Sequence, residues 1–345
     1  MEEPDIPDLK NMTMSRVKGM MKELGQAGFH GSQVFSWLYR PGVTTFAQMT
    51  DLSKDLRALL SQRSFFSSLA PCATEISQDG TTKFGFQLHD NSIIESVLIP
   101  EDDRATLCVS SQAGCAMKCA FCRTGGMGFK RNLTPAEIVG QVCAARDYLL
   151  QSGGRVTNIV FMGMGEPLAN FDHLVTALLI LTEQRGLDFS GRRITVSTCG
   201  IVPKIRKLGE ETAVNLAISL HAPTDELRSR IMPINRTYPL QELLAACREF
   251  PLPRRRRIMF EYLLLAGIND SDDHARALAR LLHAIPCKIN LLPFNESKES
   301  PFYKPSQQRI DFFQQILWQK GFTVFIRESR GGDISAACGQ LATKL

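Results

Sequence analysis

The spacing of apolar positions divides the chain into three parts, and the first of them has a helical period. Between residues 12 and 63 the recurring apolar side chains are Val17, Met20, Met21, Leu24, Val34, Phe35, Leu38, Leu52, Leu56, Leu59 and Leu60. Glycine or proline interrupts this pattern at residues 28–31 and 41–42. Such spacing is typical of amphipathic helices, which glycine and proline commonly end. The pattern predicts a small helical accessory domain over residues 1–65.

The second part, residues 66–100, has the two-residue alternation of β-strands. A first strand runs to Gln78, Asp79 and Gly80 make a turn, and apolar residues then alternate with polar ones from Phe84 to Leu88. The alternation resumes over residues 93–99. An Asp-Gly pair between alternating segments favours a hairpin turn. We predict a short β-meander that links the helical domain to the rest of the chain.

In the third part, residues 101–345, predicted strands alternate with predicted helices. Candidate strands lie at residues 105–110, 157–162, 193–198, 214–220, 257–264, 287–292 and 322–327. Helix starts lie between them at Thr134, which opens a capping box with proline at the first helical position, and at Thr224, Ser271 and Ser306. Repeated βα units require a parallel sheet with right-handed crossovers. About six units and a last strand are fewer than the eight of a closed barrel, so we predict an α/β fold with a partial (β/α)6 barrel. Spacing alone does not separate this barrel from an open two-sided sheet.

Composition adds few constraints. The chain of 345 residues is 44% hydrophobic and 22% charged, and its net charge of +5 permits a polyanionic partner without demanding one. No apolar stretch approaches the length of a membrane span, and the acidic N-terminus lacks the apolar region of a secretion signal. We therefore expect a cytoplasmic protein.

The cysteines carry the first chemical signal. Ten are present, and they are scattered except for a tight trio, Cys115, Cys119 and Cys122, which directly follows the first strand of the predicted barrel. Loops at the carboxyl ends of parallel strands build active sites, and thiolates are the usual ligands of iron–sulfur clusters. Three cysteines leave one iron of a four-iron cluster without a protein ligand, so a small molecule can chelate it and receive an electron. The alternative is a zinc site completed by a distant ligand, because no Cys or His follows Cys122 within twenty residues.

A second signal is the set of polar residues at the ends of other predicted strands. A buried strand runs into a glycine-rich turn at residues 163–167, where Gly165 lets the backbone approach a ligand and Glu166 can accept a hydrogen bond. Another apolar run ends at Ser219, Leu220 and His221. Each feature alone is more often structural. Together with Ser197 and Asn295 they favour a ligand pocket at one end of the barrel.

With these motifs the chain resembles a known family, the radical S-adenosylmethionine (radical SAM) adenosine C2-methyltransferases. The likeness runs from about residue 25 to 341. It rests on PEDDRATLCVSSQ at 100–112, the cysteine loop CAMKCAFC, Gly128-Phe129 with RNLT at 131–134, MGMGEPLAN at 162–170, SLHAP at 219–223, and Asp333-Ile334 with AACGQL at 336–341. The chain departs from the family pattern at Gly332, and at Arg123 with Gly125 and Gly126. None of these positions is assigned to the chemistry.

The resemblance implies an activity and its machinery. The implied reaction methylates C2 of an adenosine in the peptidyl-transferase centre of 23S rRNA and of the anticodon-adjacent adenosine in tRNA. The implied cofactors are one [4Fe–4S] cluster on the three cysteines and two S-adenosylmethionine molecules per turnover. Implied S-adenosylmethionine contacts are Gly165, Glu166, Ser197, Ser219, Leu220, His221 and Asn295. A flavodoxin or ferredoxin would be the electron donor, and we expect a monomer.

The resemblance also assigns three catalytic residues. Cys338 becomes a methylcysteine intermediate, Cys108 later pairs with it in a transient disulfide, and Glu95 accepts a proton. These residue types suit the chemistry, because C2 of adenine is electron-poor and a thiolate takes a methyl group readily. A second thiol can then release the product by disulfide exchange. From the residues alone, Cys108 could equally be a small hydrophobic residue that packs in the core. Glu95 could equally be a strand residue that faces solvent.

Basic residues and rival functions complete the analysis. RNA contacts are plausible at Lys118, Lys130, Arg131 and Arg192-Arg193, whereas the run at residues 254–257 is at least as well explained as a solvated charge cluster. The target base would be extruded rather than read in a groove. One rival activity is methylation at C8 of the same ribosomal adenosine, against which stand PEDDRATLCVSSQ and Pro167. The other is a non-catalytic iron–sulfur or zinc RNA-binding protein, which has no need of an open iron.

Overall fold

The N-terminal part of the chain is helical. The computed structural model describes residues 6–253, 255–296 and 300–342. After a 3-10 turn at Leu9–Asn11 come α1 (Met14–Glu23), α2 (Gly28–Leu38) and α3 (Lys54–Arg63), with a second 3-10 turn at Phe46–Gln48. The predicted break at residues 28–31 is wrong, because α2 begins there. A Cβ on Gly31 would lie 2.7 Å from the Lys18 Cα of α1, so this glycine serves a close helix crossing.

A β-meander follows and joins directly onto the barrel sheet. Strands β1 (Ala73–Ile76), β2 (Thr82–Gln87) and β3 (Ile93–Glu101) pair antiparallel, and β3 pairs antiparallel with β4 (Arg104–Cys108). The predicted turn contains Gly80, whose φ of +82° favours glycine. Five consecutive residues of β2, and five of β3, are buried, so both faces of these strands are covered. The solvent-facing explanation for Glu95 is therefore wrong, because only 1% of this residue is exposed.

The main sheet is the predicted partial barrel. Its further strands are β7 (Asn158–Phe161), β8 (Ile194–Thr198), β9 (Asn215–Ser219), β10 (Ile258–Leu264), β11 (Cys287–Pro293) and β12 (Val324–Ile326), whereas β5 (Gln112–Gly114) and β6 (Phe129–Asn132) form a separate antiparallel pair. Within the described residues, β4 and β7 to β12 lie side by side in chain order and each adjacent pair is parallel. All seven strands fall inside or within one residue of the predicted segments, and the α/β partial-barrel prediction is confirmed.

Helices connect the strands. They are α4 (Arg123–Gly126), α5 (Pro135–Leu150), α6 (Phe171–Thr182), α7 (Val202–Glu211), α8 (Asp225–Ile231), α9 (Leu240–Glu249), α10 (Asp272–Leu282) and α11 (Gln307–Gln319). The four predicted helix starts are confirmed, because Thr134, Thr224, Ser271 and Ser306 each accept a hydrogen bond from a first-turn backbone N–H. Across the described ranges, we find no helix with the length and apolar character needed to cross a bilayer.

After β12 the chain forms a segment that we call the C-terminal strap, residues 327–342. It extends from the last parallel strand to the meander on the side of the first. The Asp333 carboxylate accepts hydrogen bonds from the Ser77 hydroxyl at 2.6 Å and from the Gln78 N–H at 3.2 Å. The Lys83 ammonium donates to the Ile334 carbonyl at 2.8 Å. The strap thus links the two sides of a barrel that the strands do not close.

Candidate active site at the mouth of the barrel

The cysteine loop is held by backbone contacts on three sides. It connects β5 to β6, and the Cys115 N–H donates to the Gly128 carbonyl at 2.9 Å. The Ala120 N–H donates to Ile231 at the end of α8, also at 2.9 Å, and the Arg123 N–H donates to Gly339 of the strap at 3.0 Å. A Cβ on Gly114 would lie 1.9 Å from the Gly128 carbonyl oxygen, so this close loop closure requires glycine. The loop geometry depends on few side chains.

The thiols of the three predicted cluster ligands are close enough for the charge of one to raise the pKa of another. Burial, with smaller contributions from Glu166 and Cys122, raises the pKa of Cys115 to about 11. Burial and the neighbouring thiols of Cys122 and Cys115 raise the pKa of Cys119 further above its usual value. Cys119 and Cys122 also line a cavity of about 370 Å³. Mutual repulsion of thiolates means that a bound cation would favour their deprotonated form.

The donor set fits an iron–sulfur cluster. Three thiols on one loop supply the ligand type that these clusters use, and each cysteine of a four-iron cluster binds a different iron. Among the residues that the structure describes, no three His, Cys, Asp or Glu side chains enclose the position of a single ion. Seven buried polar atoms of the described chain have no hydrogen-bond partner, and two of them, the Ser111 hydroxyl and Gln340 Oε1, lie near the loop. Residue 111 follows β4 and residue 340 lies in the strap, so both belong to the segments around the loop.

The glycine-rich turn after β7 packs against the end of β4. A Cβ on Gly163 would lie 2.7 Å from the Val109 carbonyl oxygen, and one on Gly165 would lie 2.5 Å from the Gln112 Cβ. These glycines therefore make room for the chain's own backbone, whereas the sequence suggested room for a ligand. The Glu166 carboxylate is buried and accepts from the N–H groups of Leu168 at 3.0 Å and Cys199 at 2.8 Å. Burial nevertheless raises the pKa of Glu166 above its usual value.

The polar strand ends predicted to contact S-adenosylmethionine lie at one edge of the sheet. Ser197 is on β8, Ser219 ends β9, and Leu220 and His221 follow directly. His221 has a φ of +59°, and its Nδ1 accepts from the Leu263 N–H at 3.0 Å. Burial and the charge of Arg228 lower the pKa of His221 to about 3, so its ring is neutral. The ring packs edge-on against Phe121 of the cysteine loop at 4.8 Å between centroids.

Arg228 is a residue that sequence analysis missed. It lies on α8, is fully buried, and donates to the carbonyls of Leu220 at 3.1 Å, Ser219 at 3.0 Å and Cys199 at 2.6 Å. A fourth bond goes to the Asn235 side chain at 3.0 Å. Its position in a short run of charged residues, DELRSR, gave no sign of burial.

Glu261 is a second missed residue. It lies on β10, in register with Ser219 on β9 and Asn290 on β11, and only 5% of it is exposed. The Asn290 amide donates to it at 2.9 Å. Burial raises the pKa of Glu261 to about 7, against the influence of Asn290 and Arg327. It interrupts the apolar run of its strand, which is the signal that identified Glu95.

The strap brings Cys338 to this edge of the barrel. Cys338 is exposed and lines a cavity of about 410 Å³ together with Cys122 and Asn295, whose side-chain amide donates to the Cys338 carbonyl at 3.2 Å. Ser329 in turn donates to Asn295. Desolvation and the charge of Glu261 raise the pKa of the Cys338 thiol to about 12.

The other two predicted catalytic residues lie on β3 and β4. Cys108 ends β4 and is a free, half-buried thiol, and burial followed by the proximity of Cys338 raises its pKa to about 12. Glu95 is 3.5 Å from the Lys83 ammonium, and its other carboxylate oxygen accepts from the Ala342 N–H at 3.0 Å. The structure thus brings Cys108 towards Cys338 and joins Glu95 to the strap.

Of the basic residues predicted to contact RNA, Lys118, Lys130, Arg192 and Arg193 are exposed. Arg131 is engaged in ion pairs with Asp90 and Glu137, both at 2.8 Å, which explains it without RNA. In the run at 254–257, Arg254 lies outside the described residues.

Comparisons with known proteins agree with this architecture. The Radical SAM superfamily profile matches residues 109–281, and the ribosomal RNA large subunit methyltransferase N-terminal domain profile matches residues 7–65. The dual-specificity RNA methyltransferase RlmN of Desulfotalea psychrophila is 60% identical over 97% of this chain and 95% of its own length. That of Geobacter sulfurreducens is 56% identical over 98% and 92%. The crystal structure of a radical SAM methyltransferase from Sphaerobacter thermophilus is 46% identical, covers 97% of this chain and 99% of its own, and superposes with a TM-score of 0.91.

A full-length match at this identity decides the family, and the radical SAM fold implies a [4Fe–4S] cluster with S-adenosylmethionine. The chain belongs to the radical SAM superfamily and, within it, to the dual-specificity RNA methyltransferase RlmN family.

Proposed function

We propose that this protein methylates C2 of an adenosine in the peptidyl-transferase centre of 23S rRNA and of the anticodon-adjacent adenosine in tRNA. The observation that carries the proposal is that Cys338 and Cys122 line one cavity, which supports Cys338 as the methyl carrier. Relatives named dual-specificity RNA methyltransferases support the substrate class.

The proposed cofactors are one [4Fe–4S] cluster on Cys115, Cys119 and Cys122, and two S-adenosylmethionine molecules per turnover. When bound, the cluster supplies the electron for reductive cleavage of S-adenosylmethionine to an adenosyl radical. The proposed S-adenosylmethionine contacts are Gly165, Glu166, Ser197, Ser219, Leu220, His221 and Asn295. The ring nitrogen Nδ1 of His221 and both carboxylate oxygens of Glu166 already accept backbone hydrogen bonds. For these two residues we propose that the contribution is mainly to fix the strand ends that form the pocket.

Three side chains carry the proposed methyl transfer. Cys338 takes the methyl group on its sulfur, and with a pKa of about 12 its thiol must release a proton as the C–S bond forms. The one-carbon unit then joins adenine C2 while still attached to Cys338. The Cys108 thiolate then attacks the Cys338 sulfur and breaks its bond to the one-carbon unit, which leaves with the electron pair and takes up a proton to become the methyl group. The two cysteines remain as a transient disulfide, which a thiol reductant must reduce before the next turnover. Glu95 accepts a proton, and its hydrogen bond to Ala342 keeps it next to the strap.

The remaining proposals concern organisation. Residues 1–65 form the accessory domain that helps hold RNA, residues 66–100 link it to the core, and residues 101–345 are the radical SAM core with the C-terminal catalytic loop that contains Cys338. We propose a monomer in the cytoplasm that receives electrons from a flavodoxin or ferredoxin. Exposed Lys118 and Lys130, beside the cysteine loop, are the proposed first phosphate contacts.

Mass spectrometry of 23S rRNA and tRNA from cells with and without the protein tests the activity. The expected result is 2-methyladenosine in both RNAs, present only with the protein and absent with Cys338→Ala. Methylation at C8 would identify the sister activity instead. Unchanged RNA, from cells whose protein is folded and iron-loaded, would favour the non-catalytic RNA-binding alternative.

A second experiment separates the two thiols. Cys108→Ala should load Cys338 and add it to adenine without releasing it, so protein becomes covalently trapped on RNA. A slow band on a denaturing gel that collapses with nuclease is the expected observation. Cys143→Ala, which removes a half-buried thiol outside the site, is the control and should turn over normally. Normal turnover by Cys108→Ala would reduce Cys108 to a packing residue.

A further inference from the structure

A buried positive charge lies one layer behind the cysteine loop. Arg228 is the largest fully buried side chain among the described residues, and its guanidinium donates to three backbone carbonyls and one side-chain amide oxygen. All four acceptors are neutral. Within the described chain no carboxylate forms an ion pair with Arg228, and the link to Asp225 passes through Asn235, whose amide donates to Asp225 at 2.9 Å. Such a charge is expensive to bury unless an anion compensates it.

The elements that hold Arg228 are the same ones that support the cysteine loop. The Ile231 carbonyl, three residues further along α8, accepts from the loop residue Ala120. His221, which follows the carbonyl that Arg228 binds at Leu220, packs against Phe121. Cys119 itself packs against the hydrophobic cluster that contains Cys199, whose carbonyl is a third Arg228 acceptor. The cysteine loop and the Arg228 guanidinium therefore lie on opposite sides of the same layer of packed residues.

This placement gives Arg228 an electrostatic role. We propose that Arg228 is the counter-cation of the iron–sulfur site, and that its buried charge stabilises the reduced cluster and so raises the cluster's reduction potential. Three thiolates make the cluster region anionic, and each added electron increases that negative charge, so a nearby fixed cation favours the reduced state. Arg228 is thus a positioning residue, and it exchanges no proton or electron.

The inference rests on the proposed cluster, and the redox step is its one-electron reduction by a low-potential donor. The full chain is reconstituted anaerobically with iron and sulfide and titrated with dithionite, and the reduced cluster is measured by electron paramagnetic resonance. Arg228→Gln removes the charge, Arg228→Lys keeps it, and Arg230→Gln removes an exposed charge from the same helix as a control. If the native chain takes up no iron, the proposed function fails, whereas an unaltered potential in the variants overturns only the role of Arg228.

Arg228→Gln should shift the midpoint potential to more negative values. At a fixed potential the ratio of reduced to oxidised cluster should fall about tenfold, which corresponds to a loss of about 1.4 kcal/mol of attraction between the guanidinium and the added electron. Arg228→Lys and Arg230→Gln should stay close to the native potential. Equal potentials in Arg228→Gln and the native protein would overturn the proposal. So would an equal fall in Arg228→Lys and Arg228→Gln, which would trace the effect to the lost hydrogen bonds.

A charge-neutral variant keeps the test decisive if Arg228→Gln does not fold. The double substitution Asp225→Asn with Asn235→Asp moves a carboxylate next to the guanidinium without changing net charge or atom count. Oδ1 of Asp225 accepts from both the Asn235 amide and the Leu240 N–H, at 2.9 and 2.8 Å, so an amide nitrogen in its place keeps the 225–235 hydrogen bond with its direction reversed and gives up the bond from Leu240. This variant should also shift the midpoint potential to more negative values, because the new carboxylate compensates Arg228. An unchanged potential would overturn the proposal.

Discussion

The cysteine loop and the C-terminal strap meet at one cavity but are held in different ways. The loop is fixed by backbone hydrogen bonds to Gly128, Ile231 and Gly339, and the strand ends beside it are joined by buried Arg228. The strap depends on polar contacts with the meander: its Asp333 carboxylate accepts from the Ser77 hydroxyl and the Gln78 N–H, and buried Lys83 donates to its backbone. The first region is positioned by the barrel and the second by an element outside it.

This difference shows how radical formation at the cysteine loop can be kept separate from methyl transfer at Cys338. Electron transfer and radical formation need a site with fixed geometry, which strand ends provide. A methyl-carrying thiol has to meet more than one partner, which suits a segment held by a few polar contacts at its ends. We therefore expect substitutions in one region to leave the other largely intact.

The largest expected effect is the loss of iron. Cys119→Ala should abolish iron binding because the cluster loses one of three protein ligands, whereas Cys338→Ala should retain about four irons per chain. Iron and sulfide analysis after anaerobic reconstitution measures both. If Cys338→Ala also lost its iron, the two regions would not be independent. Stoichiometric zinc that survives substitution of all three loop cysteines would contradict the cluster.

Next in size is the buried ion pair under the strap. Lys83→Met should lower the free energy of unfolding by about 4 kcal/mol, because it removes one partner of a buried ion pair and the donor to the Ile334 carbonyl. It should also increase amide exchange in residues 331–342 more than in the cysteine loop. Denaturant unfolding and hydrogen-exchange mass spectrometry measure these effects.

The matched control is Glu75→Gln, at the half-exposed end of the same network, where Glu75 lies 3.0 Å from Lys83. An exposed pair contributes less, so this change should cost under about 1 kcal/mol. Equal exchange in strap and loop after Lys83→Met would show that the meander does not anchor the strap separately.

The smallest effect concerns Glu261, whose charge acts on Cys338 of the strap. Its folded-state pKa of about 7 lies above that of the unfolded chain, so the folded protein binds the proton more tightly. Stability from this group is fully present below about pH 4.5 and is lost as pH rises through about 7. Glu261→Gln keeps an acceptor for Asn290 and should be more stable than the native chain by about 3 kcal/mol at pH 8, and by much less at pH 5.

Denaturant unfolding of both proteins at the two pH values checks this prediction. Asp273→Asn, at an exposed position of α10, is the control and should show no such pH dependence. If Glu261→Gln were more stable than the native chain by the same amount at pH 5 and pH 8, the raised pKa of Glu261 would be contradicted.

Much of the architecture was predictable because local signals determine it. Seven strands and four helix starts followed from apolar period and capping residues, and both are short-range properties. The break at residues 28–31 was mispredicted because Gly31 serves a contact with another helix, which no local pattern reveals. The burial of Glu95 was left open for the same reason, since the strap that covers it is distant in the sequence.

The sequence predicted which residues carry the chemistry of the site, but it did not predict the buried residues that hold them in place. The cysteine spacing and strand-end motifs identified the residues that meet at the barrel mouth. Arg228 was missed because a charged helix surface and a buried cation look alike in sequence. The packing of Gly163 and Gly165 against the segment after β4 was not predicted, because a ligand and a neighbouring strand require glycine equally. The contact of Gly165 with S-adenosylmethionine stays a prediction.

The strap's anchoring has a consequence for biosynthesis. The Lys83–Ile334 bond joins residues 251 positions apart, so during translation the meander leaves the ribosome long before its partner is made. Until then Lys83 and Glu95 lack the cover of the strap, and this part of the sheet cannot reach its final packing. This edge of the sheet is therefore the part of the fold that is completed last, after residues 331–342 have left the ribosome.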